Sequence, residues 1–154
     1  RDHVLSAVLA FTPRTVVDAY SGQGALSALL AQGGIAVTAI EADARATAAC
    51  ATRLRGFEDS RVVTALVEDA IESVLPADVV VLNPPRRGID PRVAAALASA
   101  ERINAIVYVS CDPATLARDL SRLPRWQIRS LQCFDMFPQT AHVETVCVLT
   151  PEEP

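Results

Sequence analysis

Five short apolar runs constrain this chain more than any other feature: TVVDAY (15–20), IAVTAIE (35–41), RVVTALVED (61–69), DVVVLN (78–83) and AIVYVS (105–110). Each is rich in β-branched residues and apolar nearly throughout, which is how parallel strands covered on both faces read. The intervening segments are helical in spacing and punctuation. We expect helices over 25–32, over 44–55 with Asp43 as cap and Gly56 as stop, and over 92–100 behind Pro91. Parallel strands need crossover helices, so the pattern predicts an α/β doubly wound sheet with helices on both faces. After Leu123 the pattern changes. WQIRSLQCF and VETVCVLT are two strand candidates with no helix between them, expected as a hairpin-like pair, and PEEP reads as a solvated tail. There is no internal repeat or low-complexity segment.

A chain of 154 residues suits one domain burying about two-thirds of the surface its unfolded form exposes. Although 51% of its residues are hydrophobic, no apolar run approaches the roughly 18 residues that suggest a membrane span. The start, RDHVLSAVLAF, has no basic leader with a cleavage site, so a soluble cytoplasmic domain without membrane partners is expected, and a monomer. Cys50, Cys111, Cys133 and Cys147 form no C-x-x-C pair, which argues against a zinc site or disulfide framework and for free thiols. All 14 basic residues are arginine and the formal net charge is −4, whereas self-sufficient nucleic-acid binders usually carry a basic excess. If nucleic acid is the partner, part of the binding surface lies outside these residues.

In a doubly wound sheet, ligands sit beyond the carboxyl ends of the strands. The first strand ends in DAYSGQG, placing Asp18, Tyr20, Gly22 and Gly24 at a turn, and the second ends at Glu41. A lone G-x-G is weak evidence of a nucleotide site, and Ser27 stands where a dinucleotide fingerprint has its third glycine. Asp18 is more informative. A carboxylate beside the turn repels a pyrophosphate but favours S-adenosylmethionine, with its positive ammonium and sulfonium. Glu41 is suited to accept both ribose hydroxyls, and Asp69, ending the third run, to accept the adenine amino group. Singly, each acid reads more readily as a solvated loop residue; together they favour a methyltransferase.

NPPRRG (83–88) follows the fourth run, where two prolines stiffen the strand exit and direct Asn83 into the crevice. A rigid loop is the plain alternative. Asn-Pro-Pro also suits enzymes that methylate exocyclic amines, but those follow it with an aromatic that stacks the base, and Arg86 holds that place. Asp112 and Pro113 are a fitting cap and first residue for a helix over PATLARDLSRL, so Cys111 falls just before a helix N-terminus at a strand end. That position suits a nucleophile, whereas Cys50, Cys133 and Cys147 are expected to be buried and inert. Glu144 shares an alternating face with Val146 and Val148, an odd place for a carboxylate unless it points into a site.

YVSCDPATLARDL (108–120), NPPRRG and DMFPQTAHVET (135–145) resemble the signature blocks of the RNA 5-methyluridine methyltransferase family, and the likeness covers that family's C-terminal catalytic domain from about Val16 to Leu149. The resemblance implies a Rossmann-like class I methyltransferase fold of seven strands, one antiparallel, using S-adenosylmethionine. It implies that Cys111 attacks C6 of a uracil so that C5 takes the methyl group, and that Glu144 then removes the C5 proton. It further implies that Asn83, Arg86, Phe137 and Gln139 face the substrate, in transfer or ribosomal RNA. Three departures stand out: Asn83 replaces the family's usual Asp, Asp112 its common Asn, and Ser21 its usual Cys. An acid beside Cys111 opposes thiolate formation. The family's N-terminal RNA-binding domain is not among these residues, which implies either a piece of a longer chain or a reduced member.

Overall fold

The computed structural model describes residues 2–135 and 143–152. Along the chain run α1 (Asp2–Leu9), β1 (Thr15–Ala19), α2 (Ala25–Gln32), β2 (Ala36–Glu41), α3 (Ala44–Arg53), β3 (Arg61–Thr64) and α4 (Val67–Val74). There follow β4 (Val79–Leu82), α5 (Pro91–Ser99), β5 (Ala105–Ser110), α6 (Pro113–Leu120), β6 (Trp126–Asp135) and β7 (Val143–Pro151). The strands form one sheet in the order β3-β2-β1-β4-β5-β7-β6. The first five are parallel, while β7 enters antiparallel between β5 and β6. The order reverses direction between β1 and β4, and that is where the sheet opens a crevice.

Both faces of the sheet are covered, which is why its strands read as continuous apolar runs. On one face Val17, Ile40, Val80, Leu82, Ile106 and Leu149 pack with Ile71, Val93, Leu97 and Leu116 from α4, α5 and α6. On the other, Val16, Val37, Val79, Val81, Val107 and Val146 meet Val4 and Val8 of α1, Leu30 of α2 and Cys50 of α3. Each such side chain removed from water contributes about 1.5–3 kcal/mol. Local chemistry sets the helix starts. Asp43, Asp90 and Asp112 each accept a backbone N–H of the first turn, at 2.8, 2.9 and 2.9 Å, and Pro91 and Pro113 open α5 and α6.

Two expectations need correction, and one element was not anticipated. The run 61–69 is not one strand: β3 ends at Thr64 and α4 begins at Val67, burying Val67, Ala70 and Ile71 at helical spacing. Asp69 therefore lies in the first turn of a helix rather than at a strand end. The opening residues form α1, whose Val4 and Val8 cover the sheet. Cys133 is exposed, not buried, because it lies on the edge strand β6, with Ile128 and Leu131 about half exposed beside it; Cys50 and Cys147 are buried as expected. Among the described residues, no helix is long and apolar enough to cross a membrane.

The turn after β1 depends on its glycines. Gly24 caps α2 at φ 76°, and a Cβ there would collide with Cys50 Sγ and meet Cys50 Cβ at 2.9 Å, so α2 and α3 approach only because the side chain is missing. Gly24→Ala should destabilise the fold by about 2 kcal/mol through left-handed strain and overpacking. Gly22, at φ 55°, has open space around it, so Gly22→Ala should cost only about 1 kcal/mol. Urea midpoints of the two variants check the order.

Candidate active site

Two cavities lie side by side at the carboxyl ends of β1, β2 and β4. The outer one, of about 340 Å³, is lined by Glu41, Leu66, Val67, Glu68 and Pro85; the inner one, of about 240 Å³, by Val4, Asp18, Gln23, Leu26, Val109 and Glu144. Tyr20 and Asn83 line both, so the two spaces meet across these side chains. Tyr20 holds φ 61°, an uncommon conformation for a bulky residue and a sign that the turn is fixed by its surroundings. Burial, then the nearby Glu68 carboxylate, raises its phenol well above the usual range.

Glu41 ends β2 with both carboxylate oxygens engaged. Oε2 accepts the Gly22 N–H at 3.0 Å and Oε1 the Asp43 N–H at 2.9 Å, so one side chain ties the glycine turn to the start of α3. Each oxygen keeps a lone pair for a ligand hydroxyl. Asp18 is buried and accepts Ser27 Oγ–H at 2.5 Å, which explains why a serine rather than a third glycine stands in α2. Burial raises the Asp18 carboxyl to about 6, with the Ser27 bonds pulling the other way.

Asp69 does not reach the outer cavity: it binds Arg92 Nη1 at 2.7 Å on the exposed side of α4. Its neighbour Glu68, 9% exposed, lines that cavity instead. The sequence signal was one residue away, obscured because the turn between β3 and α4 has neither glycine nor proline. Arg86 is exposed on the NPPRRG loop, with its carbonyl accepting Thr115 Oγ1–H at 3.1 Å. Phe137 and Gln139 lie outside the described residues.

Cys111 is exposed immediately after β5, between Ser110 and the cap Asp112. The Asp112 carboxyl is held below its usual range by the Thr115 N–H, so the cap is an anion beside the thiol. β5 and β7 pair Val109 with Val146 and, at the end of the ladder, Ser110 with Thr145; Cys111 directly follows Ser110, and Glu144 directly precedes Thr145. Val109 and Glu144 line the inner cavity together with Asp18 and Asn83. The site thus brings Asp18, Tyr20, Asn83, Glu144 and the Cys111 turn to one end of the sheet, with Gly22 and Glu41 at its side. Among the described residues, no group of three or more His, Cys, Asp or Glu is gathered to hold a metal ion.

A seven-stranded sheet with a reversed β7 and a glycine turn at the switch point defines a class I methyltransferase fold. An N-methyltransferase from Bradyrhizobium japonicum, solved with S-adenosyl-L-homocysteine, superposes with a TM-score of 0.82 over 99% of this chain and 85% of its own, at 13% identity. The chain belongs to the tRNA (uracil-5-)-methyltransferase family, whose model matches residues 53–152. The tRNA (uracil-54, C5)-methyltransferase of Pyrococcus abyssi, also solved with S-adenosyl-L-homocysteine, is 32% identical, with a TM-score of 0.81 over 94% of this chain and 38% of that one. An uncharacterized RNA methyltransferase of Gloeobacter violaceus is 46% identical over 140 residues, and one of Enterococcus faecalis 39% over 143. The chain spans only about a third of these relatives' length, 30% and 31% respectively.

Proposed function

We propose that the chain is the catalytic domain of an S-adenosylmethionine-dependent enzyme that methylates C5 of a uridine in RNA. The observation that supports this reading is the last β5–β7 pair, Ser110 with Thr145, which Cys111 follows and Glu144 precedes, with Glu144 lining a cavity together with Asp18 and Asn83. The paired cavities fit the cofactor. Glu41 would hold the ribose, Glu68 and Leu66 would flank the adenine, and Asp18 would face the cationic methionine end. The cofactor supplies an electrophilic methyl group.

The residues provide what uracil lacks. C5 is a poor nucleophile until the Cys111 thiolate adds to C6, forming an S–C6 bond and moving the C5=C6 pair into an enolate that Asn83 would hydrogen-bond. After C5 takes the methyl group, Glu144 accepts the C5 proton, C5=C6 re-forms and the S–C6 bond breaks. Nucleoside analysis of methylated RNA tests the product. 5-Methyluridine supports the reading, whereas a methylated exocyclic amine would replace it with amine methylation at Asn83. Since the chain carries a net charge of −4, RNA recognition would draw on further segments such as the relatives' additional length could supply.

Glu41→Ala is expected to weaken S-adenosylhomocysteine binding by about 1.5–3 kcal/mol, because it deletes the ribose acceptor and frees the Gly22 N–H. Calorimetric titration reads this directly. Unchanged affinity would remove Glu41 from the cofactor site.

A further inference from the structure

Asp119 of α6 is fully buried, and its carboxylate joins three segments of the site. Oδ2 accepts the Ile89 N–H at 2.9 Å and the Tyr108 O–H at 2.6 Å. Oδ1 accepts Arg118 Nε and Nη2 at 3.1 and 2.8 Å, with Arg122 Nη1 at 3.5 Å. Ile89 closes the loop that begins at Asn83, Tyr108 lies in β5 three residues before Cys111, and Arg118 and Arg122 belong to α6 and its end. The loop is seated on α6 by further bonds: Arg118 Nη2–H to Arg87 O at 2.6 Å and Thr115 Oγ1–H to Arg86 O at 3.1 Å. At Gly88 a Cβ would run into Asp119 Oδ2 and approach Thr115 Cγ2 to 2.6 Å, so backbone packs directly on the helix.

A buried carboxylate is costly unless fully paired, and apolar residues of similar volume would stabilise as well. An ionic cluster does something apolar packing does less well: it selects one relative placement of the segments that supply its donors. Here those segments carry Asn83 and Cys111. We propose that Asp119 is a positioning residue that holds the Asn83 loop and the Cys111 turn in a single relation to each other. This rests on Cys111 being the nucleophile of the proposed reaction. Small misplacements of reacting groups slow attack far more than they weaken binding of the cofactor, whose proposed contacts lie mostly at the ends of β1 and β2 and the start of α4.

Asp119→Asn keeps the shape but removes the charge from Arg118 and Arg122. Tyr108→Phe removes one donor and leaves the ion pairs, so it serves even if the first variant folds poorly. The measurements are the rate of covalent adduct formation with saturating 5-fluorouridine RNA and S-adenosylmethionine, affinity for S-adenosylhomocysteine, and amide exchange. Adduct formation should slow about ten-fold in Asp119→Asn and about three-fold in Tyr108→Phe, with cofactor affinity changed less than about three-fold. The Ile89 and Thr115 amides should exchange faster together, while Val17 and Val37 in β1 and β2 stay protected. A normal adduct rate in both variants would overturn the positioning role, as would a uniform rise in exchange across the sheet. With the RNA-binding segments supplied, absence of adduct in the wild type would overturn the nucleophile assignment and the positioning role with it, and is distinguished by appearing without any substitution.

Discussion

Cys111→Ala and Glu144→Gln should both stop turnover but leave different species behind. Without the thiol, no bond forms to C6, C5 is never activated, and neither methylated product nor adduct appears. With Gln at 144, attack and methyl transfer still proceed, but nothing removes the C5 proton, so methylated RNA should accumulate on Cys111 while turnover slows about 10²–10⁴-fold. Wild type on 5-fluorouridine RNA should reach a similar state, since fluorine cannot leave as a proton. A denaturing gel separates the outcomes: a slow-migrating protein–RNA band for Glu144→Gln and for wild type with the fluorinated RNA, and none for Cys111→Ala. An active Cys111→Ala variant would end the covalent reading. If wild type gives no band with RNA-binding segments supplied, Cys111 is not an active nucleophile in this chain, as the Asn83 and Asp112 departures would then explain.

What could be read from the sequence was whatever is encoded locally. β1, β2, β4 and β5 stood out because burial on both faces leaves no polar alternation, and α3 and α6 because Asp43 and Asp112 bond within their own first turns. α4 did not stand out. It has eight residues, its cap position is Leu66 with no capping side chain, and Val62, Val63, Leu66 and Val67 run together as if in one strand. That misreading placed Asp69 at the cavity in place of Glu68. Ser27 and Asp119 were missed for another reason. Ser27's partner Asp18 is nine residues away, and Asp119's partners Tyr108 and Ile89 are 11 and 30 residues away, so only the packed sheet brings them into contact. Cys111 and Glu144 were legible as single residues near strand ends, but that they flank the same Ser110–Thr145 pair depends on β7 running antiparallel beside β5.

Asp18→Asn should make the empty protein more stable at neutral pH and a poorer binder of the cofactor. Burial raises the Asp18 carboxyl from 3.8 to about 6, so the fold favours its neutral form. Below about pH 4 both folded and unfolded chains are protonated there and no penalty arises. As pH rises from 4 to 6 the unfolded chain ionises first, and stability falls; above 6 the loss is constant at about 3 kcal/mol. The amide does not titrate, so urea midpoints of wild type and variant should diverge between pH 4.5 and 7.5 in the variant's favour. Parallel midpoints would show that Asp18 is not the titrating group. Ligand binding should run the other way. A cation entering the inner cavity favours the ionised carboxylate, so S-adenosylmethionine should stabilise wild type more at pH 7.5 than at pH 5, and calorimetry should find the variant's affinity lower by about 1–3 kcal/mol. A carboxyl group that weakens the empty fold, yet sits where the β1 end opens on the cavity, is understandable if its charge is used only once the ligand is present.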